Sequence, residues 1–436
     1  MKHAYRTIRG AAALGIGLMM AGLACAGGAK ASTLTTIYSF CSRGDCADGN
    51  GPDGPLVKDA AGNYYGTAER GGKFRGICSN QGCGTIYEVP AGTRKKNLPV
   101  KVLYKFCKNE RCSDGVNPIG GLIIDTSGNL YGVTEAGGKT GNGVVFRLSP
   151  DGTLNVLHNF CRKENCPDGD FPITESTALT YPGAAAGVPY DGVSTLYGEV
   201  TGGGSHNCGV IFSLAPKAKK WSEKVLYNFC SVGGGQDGDG PNSIVADGAG
   251  NLYGVAIDGG HSAGGVVFKL QGSTMTTLYS FCSQANCADG KSPFGAPTLD
   301  AQGNLYGTTS GGGTNASGVL YKITPEGSYS KLYDFCSQAS CADGSGPAGT
   351  LYLDADGNLF GTTGGGGAAN RGTVYEMNGT HQVLYSFCNG VPNCTDGENP
   401  DSSVVPDGNG NLIGVTAEGG VGGRFGQGGT IFTLTP

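Results

Sequence analysis

The sequence predicts an all-β fold, a seven-bladed β-propeller with four-stranded blades whose last blade is closed by the N-terminal strand. Three observations predict it: one phrase of the form VLYSFC recurs seven times, the same three further phrases accompany it, and the partial repeats at the two ends complement each other. Among 436 residues there are 82 glycines, yet 38% of the residues are hydrophobic. This composition indicates turn-rich β-structure and argues against disorder.

The phrase that ends in cysteine sets the period of the repeat. Its cysteines are separated by 66, 54, 69, 52, 54 and 52 residues. The unit is therefore about fifty-three residues, close to the period of kelch propeller blades, with insertions in the first and third intervals. The copies are TTIYSFC at 35–41, KVLYKFC at 101–107, NVLHNFC at 155–161, KVLYNFC at 224–230, TTLYSFC at 276–282, SKLYDFC at 330–336 and QVLYSFC at 382–388.

Three further phrases bring each unit to four short strands. A stretch of small residues such as GPAGTLYLD (346–354) suits the crowded central axis, so we assign it to strand a. GNLYG, as at 303–307, opens strand b, the β-branched run such as GVLYKI (318–323) is strand c, and the cysteine-ending phrase is strand d. Asp, Gly and Asn between strands a and b are typical of hairpin turns, which Asp125 and Asp354 would open.

The two ends of the repeat region predict how the ring closes. The repeats start with a strand d, in residues 33–40, and finish with strands a to c in residues 399–436. Six blades are then continuous and the seventh is assembled from both ends, which removes the free sheet edges. A stacked β-solenoid is the alternative, but it gives the partial repeats no reason to complement each other. We expect one propeller domain over residues 32–436.

Residues 1–31 have the features of an export signal. A basic start at 2–9 precedes an apolar run over 11–26, and Ala-Lys-Ala at 29–31 offers small residues for cleavage. The apolar run is short for a membrane span. We therefore predict a signal peptide and a secreted protein, periplasmic or extracellular, with no membrane span after signal removal. An uncleaved anchor and a lipoprotein attached through Cys25 are the alternatives.

The charge balance bears on the partners of the protein. Removal of residues 1–31 takes away four cations and no acid, so the formal net charge changes from −5 to −9. An acidic product is a poor partner for nucleic acid or for an anionic membrane surface. The predicted partners are therefore an extracellular glycan or a protein, and we expect a monomer.

The cysteines predict disulfides. There are 17 cysteines, an even number remains once Cys25 is removed, and most form C-x4-C or C-x5-C pairs just after strand d. Export favours disulfides, whereas zinc would need four thiolates to converge. The predicted pairs are Cys41–Cys46, Cys78–Cys83, Cys107–Cys112, Cys161–Cys166, Cys208–Cys230, Cys282–Cys287, Cys336–Cys341 and Cys388–Cys394.

One pair of this set rests on more than local spacing. Cys230 has no cysteine in the loop that follows it. Because strands c and d are antiparallel neighbours, the start of c lies beside the end of d, which places Cys208 opposite Cys230. One alternative stays open in the first blade: Cys83–Cys107 with Cys78–Cys112.

Candidate binding residues lie in loops at one end of the propeller. Each d–a loop contains Asp-Gly and emerges on the same face as the Gly-rich b–c loops. His206 and His261 lie in b–c loops of consecutive blades, where Asp237 or Asp239 could complete a metal or acid–base cluster. The plainer interpretation of Asp-Gly is a turn in every blade. The candidate residues are Asp48, Asp114, Asp168, Asp237, Asp289, Asp343, Asp396, His206 and His261.

No catalytic residue, metal ligand or cofactor is assigned from the sequence. It has no nucleophile elbow, H-E-x-x-H motif or phosphate loop. Calcium is an alternative cofactor, but acidic stretches such as DGDG (237–240) lack the rest of a calcium-binding loop. His158 replaces the strand-d tyrosine and is interpreted as aromatic packing. The sequence predicts an extracellular binding or scaffold module that uses the d–a/b–c face; a secreted hydrolase or lyase acting on polysaccharide is the alternative.

The combination of L-Y-x-F, G-N-L-Y-G-T-T, a Gly-Gly run and G-x-V-F/Y-x-L resembles the GloVer tandem repeat of exported bacterial proteins. The resemblance covers residues 33–436 and is closest at 276–330 and 331–382. It implies a propeller-like strand pattern and no established activity, so no residue role is carried over. Members of that family are associated with varied C-terminal surface anchors, and the GTIFTLTP ending departs from this pattern. The Gly-Gly run is also similar to kelch repeats, but the tryptophan expected in each kelch blade is absent.

Overall fold

A computed structural model describes residues 32–78, 80–92, 100–172, 179–218, 220–421 and 428–436. The predicted signal peptide, including Cys25, lies outside the described residues. Within these ranges, no helix is long and apolar enough to cross a membrane.

The described residues form seven four-stranded antiparallel sheets, so the predicted all-β, seven-bladed propeller is confirmed. Within each sheet the strands are adjacent in the order a, b, c, d. The strands are β1 (Thr33–Ser39), β2 (Asn50–Lys58), β3 (Tyr64–Arg70), β4 (Thr85–Val89), β5 (Lys101–Lys105), β6 (Val116–Ile124), β7 (Leu130–Ala136), β8 (Val144–Leu148), β9 (Leu154–Asn159), β10 (Leu179–Thr180), β11 (Leu196–Val200), β12 (Val210–Lys217), β13 (Lys220–Asn228), β14 (Asp239–Ala246), β15 (Leu252–Asp258), β16 (Val266–Gln271), β17 (Thr274–Ser280), β18 (Lys291–Leu299), β19 (Leu305–Gly311), β20 (Val319–Ile323), β21 (Tyr329–Asp334), β22 (Ser345–Leu353), β23 (Leu359–Gly365), β24 (Thr373–Met377), β25 (His381–Ser386), β26 (Val405–Pro406), β27 (Leu412–Thr416) and β28 (Thr430–Thr435).

Consecutive groups of four strands make the blades. Blade 1 is β2–β5, blade 2 is β6–β9, blade 3 is β10–β13, blade 4 is β14–β17, blade 5 is β18–β21, blade 6 is β22–β25, and blade 7 is β26–β28 with β1. The helical segments of the described chain are single 3-10 turns at Gly44–Cys46, Gly76–Cys78, Ala184–Ala186, Ala285–Cys287, Ala339–Cys341 and Pro392–Cys394.

Strand a is the innermost strand of its blade, in keeping with its small residues. Gly54 in β2 lies against the backbone of Gly120 in β6, and Gly295 in β18 lies against Gly349 in β22. A Cβ atom at Gly54 would collide with the Gly120 peptide, and its φ angle of +73° also favours glycine. Inner strands of neighbouring blades therefore approach more closely than larger side chains would allow.

Aspartates fix the a–b turns. In blade 6, Oδ1 of Asp354 accepts hydrogen bonds from the backbone N–H groups of Asp356 and Asn358 at 2.9 and 2.8 Å, and Oδ2 accepts from the Asn358 side chain at 2.9 Å. These bonds satisfy the polar groups of a tight turn. The same aspartate–asparagine pairing occurs at Asp59, Asp125, Asp247, Asp300 and Asp407.

A β-bulge lies between strands c and d of every blade. In blade 5, Leu320 pairs with Tyr333 and Tyr321 pairs with Lys331, so Leu332 is the extra residue. The same irregularity occurs in the other six sheets. Because a bulge redirects the side chains beside it, it sets the direction of the strand-d tyrosine.

One aromatic pair fills the core of each interface between blades. The strand-d phenylalanine of one blade packs on the strand-c ring of the next, with centroids 4.8 to 5.4 Å apart, and every ring of these pairs is fully buried. Burial of each such ring stabilises the fold by about 1.5–3 kcal/mol. The pairs are Phe40–Tyr87, Phe106–Phe146, Phe160–Phe212, Phe229–Phe268, Phe281–Tyr321, Phe335–Tyr375 and Phe387–Phe432.

The last glycine of the GNLYG phrase leaves space for these rings. We therefore predict that this position does not accept a larger side chain. A Cβ atom at Gly361 would lie 2.6 Å from Cζ of Tyr375, a fully buried ring that has no space to move. We expect Gly361→Ala to lower the free energy of unfolding by about 1–3 kcal/mol in urea denaturation. The control Gly248→Ala adds its methyl group in open space and should change stability by less than about 0.5 kcal/mol. Equal losses in the two variants would contradict the steric explanation.

The predicted closure by the N-terminal strand is confirmed, because β1 pairs antiparallel with β28. Thr33 lies opposite Thr435, and Ser39 lies opposite Thr430. The segment also contributes buried Ile37 and Phe40 to the core cluster that joins blades 7 and 1.

Deletion of residues 33–40 should therefore lower the melting temperature drastically in differential scanning calorimetry. The deletion exposes the edge of β28 and removes one of the interblade aromatic pairs. A Thr33→Ala variant, which changes an exposed side chain and keeps the strand, is the control and should melt like the parent. An unchanged transition after the deletion would refute the role of β1 in closure.

Candidate functional site

The aspartates predicted as candidate ligands lie at the base of the d–a loops. Six of them are buried, with exposed fractions between 0 and 8%, and Asp114 is partly buried. The buried six are Asp48, Asp168, Asp237, Asp289, Asp343 and Asp396. Their carboxylates face the interior of their own loops, so solvent has little access to them.

A hydrogen-bond network, which we call the tyrosine latch, explains this burial. In blade 5, the Tyr333 hydroxyl donates to Oδ2 of Asp343 at 2.7 Å, and Ser337 donates to the same oxygen from its N–H and hydroxyl groups at 2.8 and 2.7 Å. These bonds close the d–a loop around the Cys336–Cys341 disulfide. The latches are Tyr38–Asp48, Tyr104–Asp114, Tyr227–Asp237, Tyr279–Asp289, Tyr333–Asp343 and Tyr385–Asp396.

The electrostatics of the blade 5 latch favour a charged, internally satisfied Asp343. Burial alone would raise the pKa of Asp343, but hydrogen bonds from Tyr333 and Ser337 outweigh it and lower that pKa below its usual value. Burial and the adjacent carboxylate raise the pKa of Tyr333 to about 12. These contacts give the aspartates a structural role. Ligand binding by them remains a prediction from the sequence.

The d–a and b–c loops meet at the same end of the propeller. In blade 6, the N–H of Gly367 in the b–c loop donates to the carbonyl oxygen of Cys341 in the preceding d–a loop at 2.9 Å. An equivalent bond joins the described parts of these loops in the other blades, from Gly72, Gly138, Gly204, Gly260, Gly313 and Gly420. We call this end of the molecule the loop face.

Eight cysteine pairs lie at disulfide distance, and they are the same eight pairs that the sequence analysis selected. Cys208, before strand c, and Cys230, after strand d, have Cα atoms 5.9 Å apart. In blade 1 the local pairs form, although the sulfur atoms of Cys78, Cys83 and Cys107 lie within 4.8 Å of one another. Seven of the eight bonds close loops of six or seven residues on the loop face.

The two histidines predicted on this face, His206 and His261, are exposed. Neither belongs to any group of three or more His, Cys, Asp or Glu side chains whose ligand atoms lie within 4.8 Å of one another in the described chain. The suggested metal cluster with Asp237 or Asp239 is therefore not present among the described residues, and an acid–base pairing with either acid stays a prediction.

Exposed apolar side chains are concentrated on the loop face. Of the eight large apolar residues that stand exposed in the described chain, five lie in its d–a or b–c loops. They are Phe74, Ile77, Phe171, Val232 and Val421, with exposed fractions of 44, 70, 45, 49 and 74%. Sequence reasoning selected this face but identified its polar residues as the binding groups.

One d–a loop lacks the tyrosine latch. Between blades 2 and 3, His158 replaces the tyrosine, and its Nε2 lies 3.3 Å from Oδ2 of Asp168. Arg162 follows the cysteine where four other loops have serine; its Nε lies 3.4 Å from the same oxygen, and Nη2 lies 3.8 Å from Oε2 of Glu223. The His158 ring also packs on Phe160 at 4.8 Å, which is the aromatic contact expected from the sequence.

The two carboxyl groups beside His158 differ in electrostatics. Burial raises the pKa of Glu223, whereas for Asp168 the neighbouring His158 and Arg162 outweigh burial and lower the pKa. Both acids line a cavity of about 370 Å³ that Arg162 and Val225 also line. Sequence reasoning missed Glu223. The available signal was its position four residues before the strand-d tyrosine, where the other copies have an apolar or aromatic residue.

A second concave surface lies at the opposite end of the propeller, between blades 1 and 2. This groove has a volume of about 1190 Å³, and its walls combine apolar Leu103 and Ile124 with charged Lys58 and Glu88. The turn aspartate Asp125 also lines it, but its carboxylate is already bonded within the a–b turn. The sequence analysis did not predict this groove.

Comparison with known proteins identifies the repeat. Residues 17–195 and 167–351 match the Gloeobacter/Verrucomicrobia repeat. The chain belongs to this repeat family. The resemblance inferred from the GNLYG and LYSF phrases is thereby confirmed. The comparison with curated proteins found no match.

Solved structures similar to this repeat protein are distant. A putative 6-phosphogluconolactonase from Bacteroides uniformis shares 12% identity over 76% of this chain and 83% of its own, with a TM-score of 0.45. A luciferin-regenerating enzyme shares 12% identity over 93% and 95%, with a TM-score of 0.42. The Aleuria aurantia lectin in complex with Fucα1-6GlcNAc shares 9% identity over 76% and 94%, with a TM-score of 0.41. We transfer no activity or ligand from them.

The latches predict an alkaline limit to stability. The pKa values of Tyr38, Tyr227, Tyr279 and Tyr333 are raised from 10.0 to about 12, so their contribution to folding is present below pH 10 and is lost as the pH rises toward 12. The melting temperature, followed by circular dichroism, should be steady from neutrality to about pH 9 and should fall steeply between pH 10 and 12. A flat profile across that interval would contradict the latch.

Proposed function

We propose that this repeat protein is an extracellular binding or scaffold module that contacts a macromolecular ligand through its loop face. The observation that carries the proposal is the concentration of exposed apolar side chains in the loops of this one face. Exposed apolar side chains that lie together on a surface are typical of interaction sites, and Phe74 and Ile77 share one loop.

The Phe74–Ile77 segment is the part of the loop face best suited to binding. Phe74 and Ile77 are 44 and 70% exposed. Between them, Arg75 donates to the carbonyl oxygen of Lys108 at 3.2 Å and forms an ion pair with Glu110 at 3.3 Å, which ties two loops together. Binding to a pre-organised segment costs less conformational entropy than binding to a free loop.

Disulfides and latches support the same interpretation. They fix the bases of the d–a loops and satisfy the buried carboxylates internally. Loops held on a rigid scaffold are the usual location of binding residues.

Binding of the purified chain to an array of soluble and insoluble polysaccharides tests the proposal. We expect the double variant Phe74→Ser/Ile77→Ser to weaken binding at least about tenfold, because such anchors typically contribute 1–2 kcal/mol or more. The matched control is Val188→Ser/Val193→Ser, which removes apolar side chains of similar exposure, 51 and 69%, from the insertion of blade 3. The control should bind like the parent.

Three outcomes decide the proposal. Equal binding by the parent and the Phe74/Ile77 variant would mean that this part of the loop face does not contact the ligand. Binding only to immobilised proteins and to no polysaccharide would identify a protein ligand. Release of reducing ends from a polysaccharide would favour the alternative of a secreted hydrolase or lyase over a binding module.

A further inference from the structure

The described chain contains four groups in which three His, Cys, Asp or Glu ligand atoms lie within 4.8 Å of one another. Three of the groups contain disulfide-bonded cysteines, which lack the thiolate that binds metal ions. The fourth group is His158, Asp168 and Glu223. None of its three members is part of a disulfide bond, so each keeps a nitrogen or oxygen atom that can bind a metal ion.

We propose that His158, Asp168 and Glu223 form a binding site for a divalent transition-metal ion such as Zn²⁺. One imidazole nitrogen and two carboxylate oxygens are a donor set that zinc accepts in proteins, and hard ions such as Ca²⁺ and Mg²⁺ favour all-oxygen sites. Three protein ligands leave one coordination position, which would open toward the 370 Å³ cavity.

Unsatisfied buried atoms support the proposal. His158 is 4% exposed, and its Nε2 has Oδ2 of Asp168 beside it at 3.3 Å. The other oxygens of the two acids, Oδ1 of Asp168 and Oε1 of Glu223, are buried and have no hydrogen-bond partner among the described residues. A buried polar atom without a partner costs about 1–3 kcal/mol. A bound cation would supply a partner to both carboxylates.

Arg162 takes the place of that cation when no metal is bound. Its guanidinium lies between the two carboxylates, at 3.4 Å from Asp168 and 3.8 Å from Glu223. The side chain is 57% exposed and also lines the cavity, so it can rotate outward without disturbing the core. A metal ion would therefore compete with the guanidinium for the same negative charge.

Comparison among the seven repeats shows that this interface was changed at three places together. The strand-d tyrosine becomes His158, the residue after the cysteine becomes Arg162, and the residue four positions before the next strand-d tyrosine becomes Glu223. At other interfaces that last position packs on the neighbouring tyrosine: Tyr329 stacks on Tyr279 at 4.4 Å, and His381 stacks on Tyr333 at 4.1 Å. The three polar residues thus meet at one interface, although they are distant in sequence.

The repeats also supply substitutions that remove the ligands without removing the fold. His158→Tyr restores the residue of the six latches and places a hydroxyl group near Asp168. Glu223→Met introduces the residue that blade 4 has at the same position, Met275. Arg162→Ser introduces the residue found in four other loops and removes the competing charge. Circular dichroism melting of each variant verifies that the propeller is intact.

Isothermal titration of the chelator-treated full propeller with Zn²⁺ tests the proposal. We expect one ion per chain, at least about 100-fold weaker binding for His158→Tyr and for Glu223→Met, and tighter binding for Arg162→Ser. Titration with Co²⁺ should give a visible absorption band that His158→Tyr abolishes. Ca²⁺ and Mg²⁺ should give no comparable heat. His206→Tyr and His261→Tyr, which change exposed histidines outside the cluster, are the controls and should bind like the parent.

Two results would contradict the proposed metal site. One is the absence of stoichiometric Zn²⁺ binding to the folded parent and to Arg162→Ser, which would make the cluster an internal ion-pair network only. The other is equal Zn²⁺ affinity in the parent and in folded His158→Tyr, which would place any bound ion elsewhere. Neither result depends on the ligand of the Phe74–Ile77 segment, so this site and the proposed binding function are tested separately.

Discussion

The packing of a strand-d phenylalanine on the strand-c ring of the next blade is the interaction on which the rest of the structure depends. It recurs at every interface, with centroids 4.8 to 5.4 Å apart and all rings fully buried. Because the buried rings fill the space beside strand b, the strand-b glycine has to be small. The bulge between strands c and d lies beside the tyrosine that bonds to the aspartate of the d–a loop. The aromatic contact therefore accounts for the glycine of one phrase and the rings of two others.

The blade order and the disulfides could be predicted from the sequence because both follow from the repeat. Strand assignment needs only the four phrases, and the position of Cys208 opposite Cys230 follows from the antiparallel pairing of strands c and d. The closure by β1 could be predicted for the same reason, since the two partial repeats add up to one blade.

The burial and the contacts of the loop residues could not be predicted from the local sequence. Asp-Gly after a cysteine favours a turn but also fits an exposed ligand site, and only the contact with the tyrosine ten residues earlier shows that Asp343 is buried. His206 and His261 occupy equivalent loops of neighbouring blades, but similar positions along the chain do not bring their side chains together. The contact of Glu223 with Arg162 and His158 depends on the packing of two outer strands from different blades. That packing is visible only after the register of both strands is known.

Repetition also explains why one interface can differ from the others. Six tyrosine latches hold six d–a loops, and the seventh d–a loop has His158 and its neighbours instead. The aromatic pair of that interface, Phe160 with Phe212, is retained, which keeps the blades in place. In a scaffold of repeats, the polar residues at one interface between blades can thus change while the packing of the blades stays the same.

The pairing of β1 with β28 has a consequence for the order of folding. The ribosome makes β1 well before β28, so blade 7 cannot be completed until β28 has been synthesised. Blades 1 to 6 are local meanders of consecutive strands and have no such delay. The β1–β28 pairing has the longest sequence separation among the described strand pairs, and contacts of this kind form slowly because of their large loop-closure entropy. Until then the open ring presents two unpaired edges, which is the interval in which a chaperone would have most to protect.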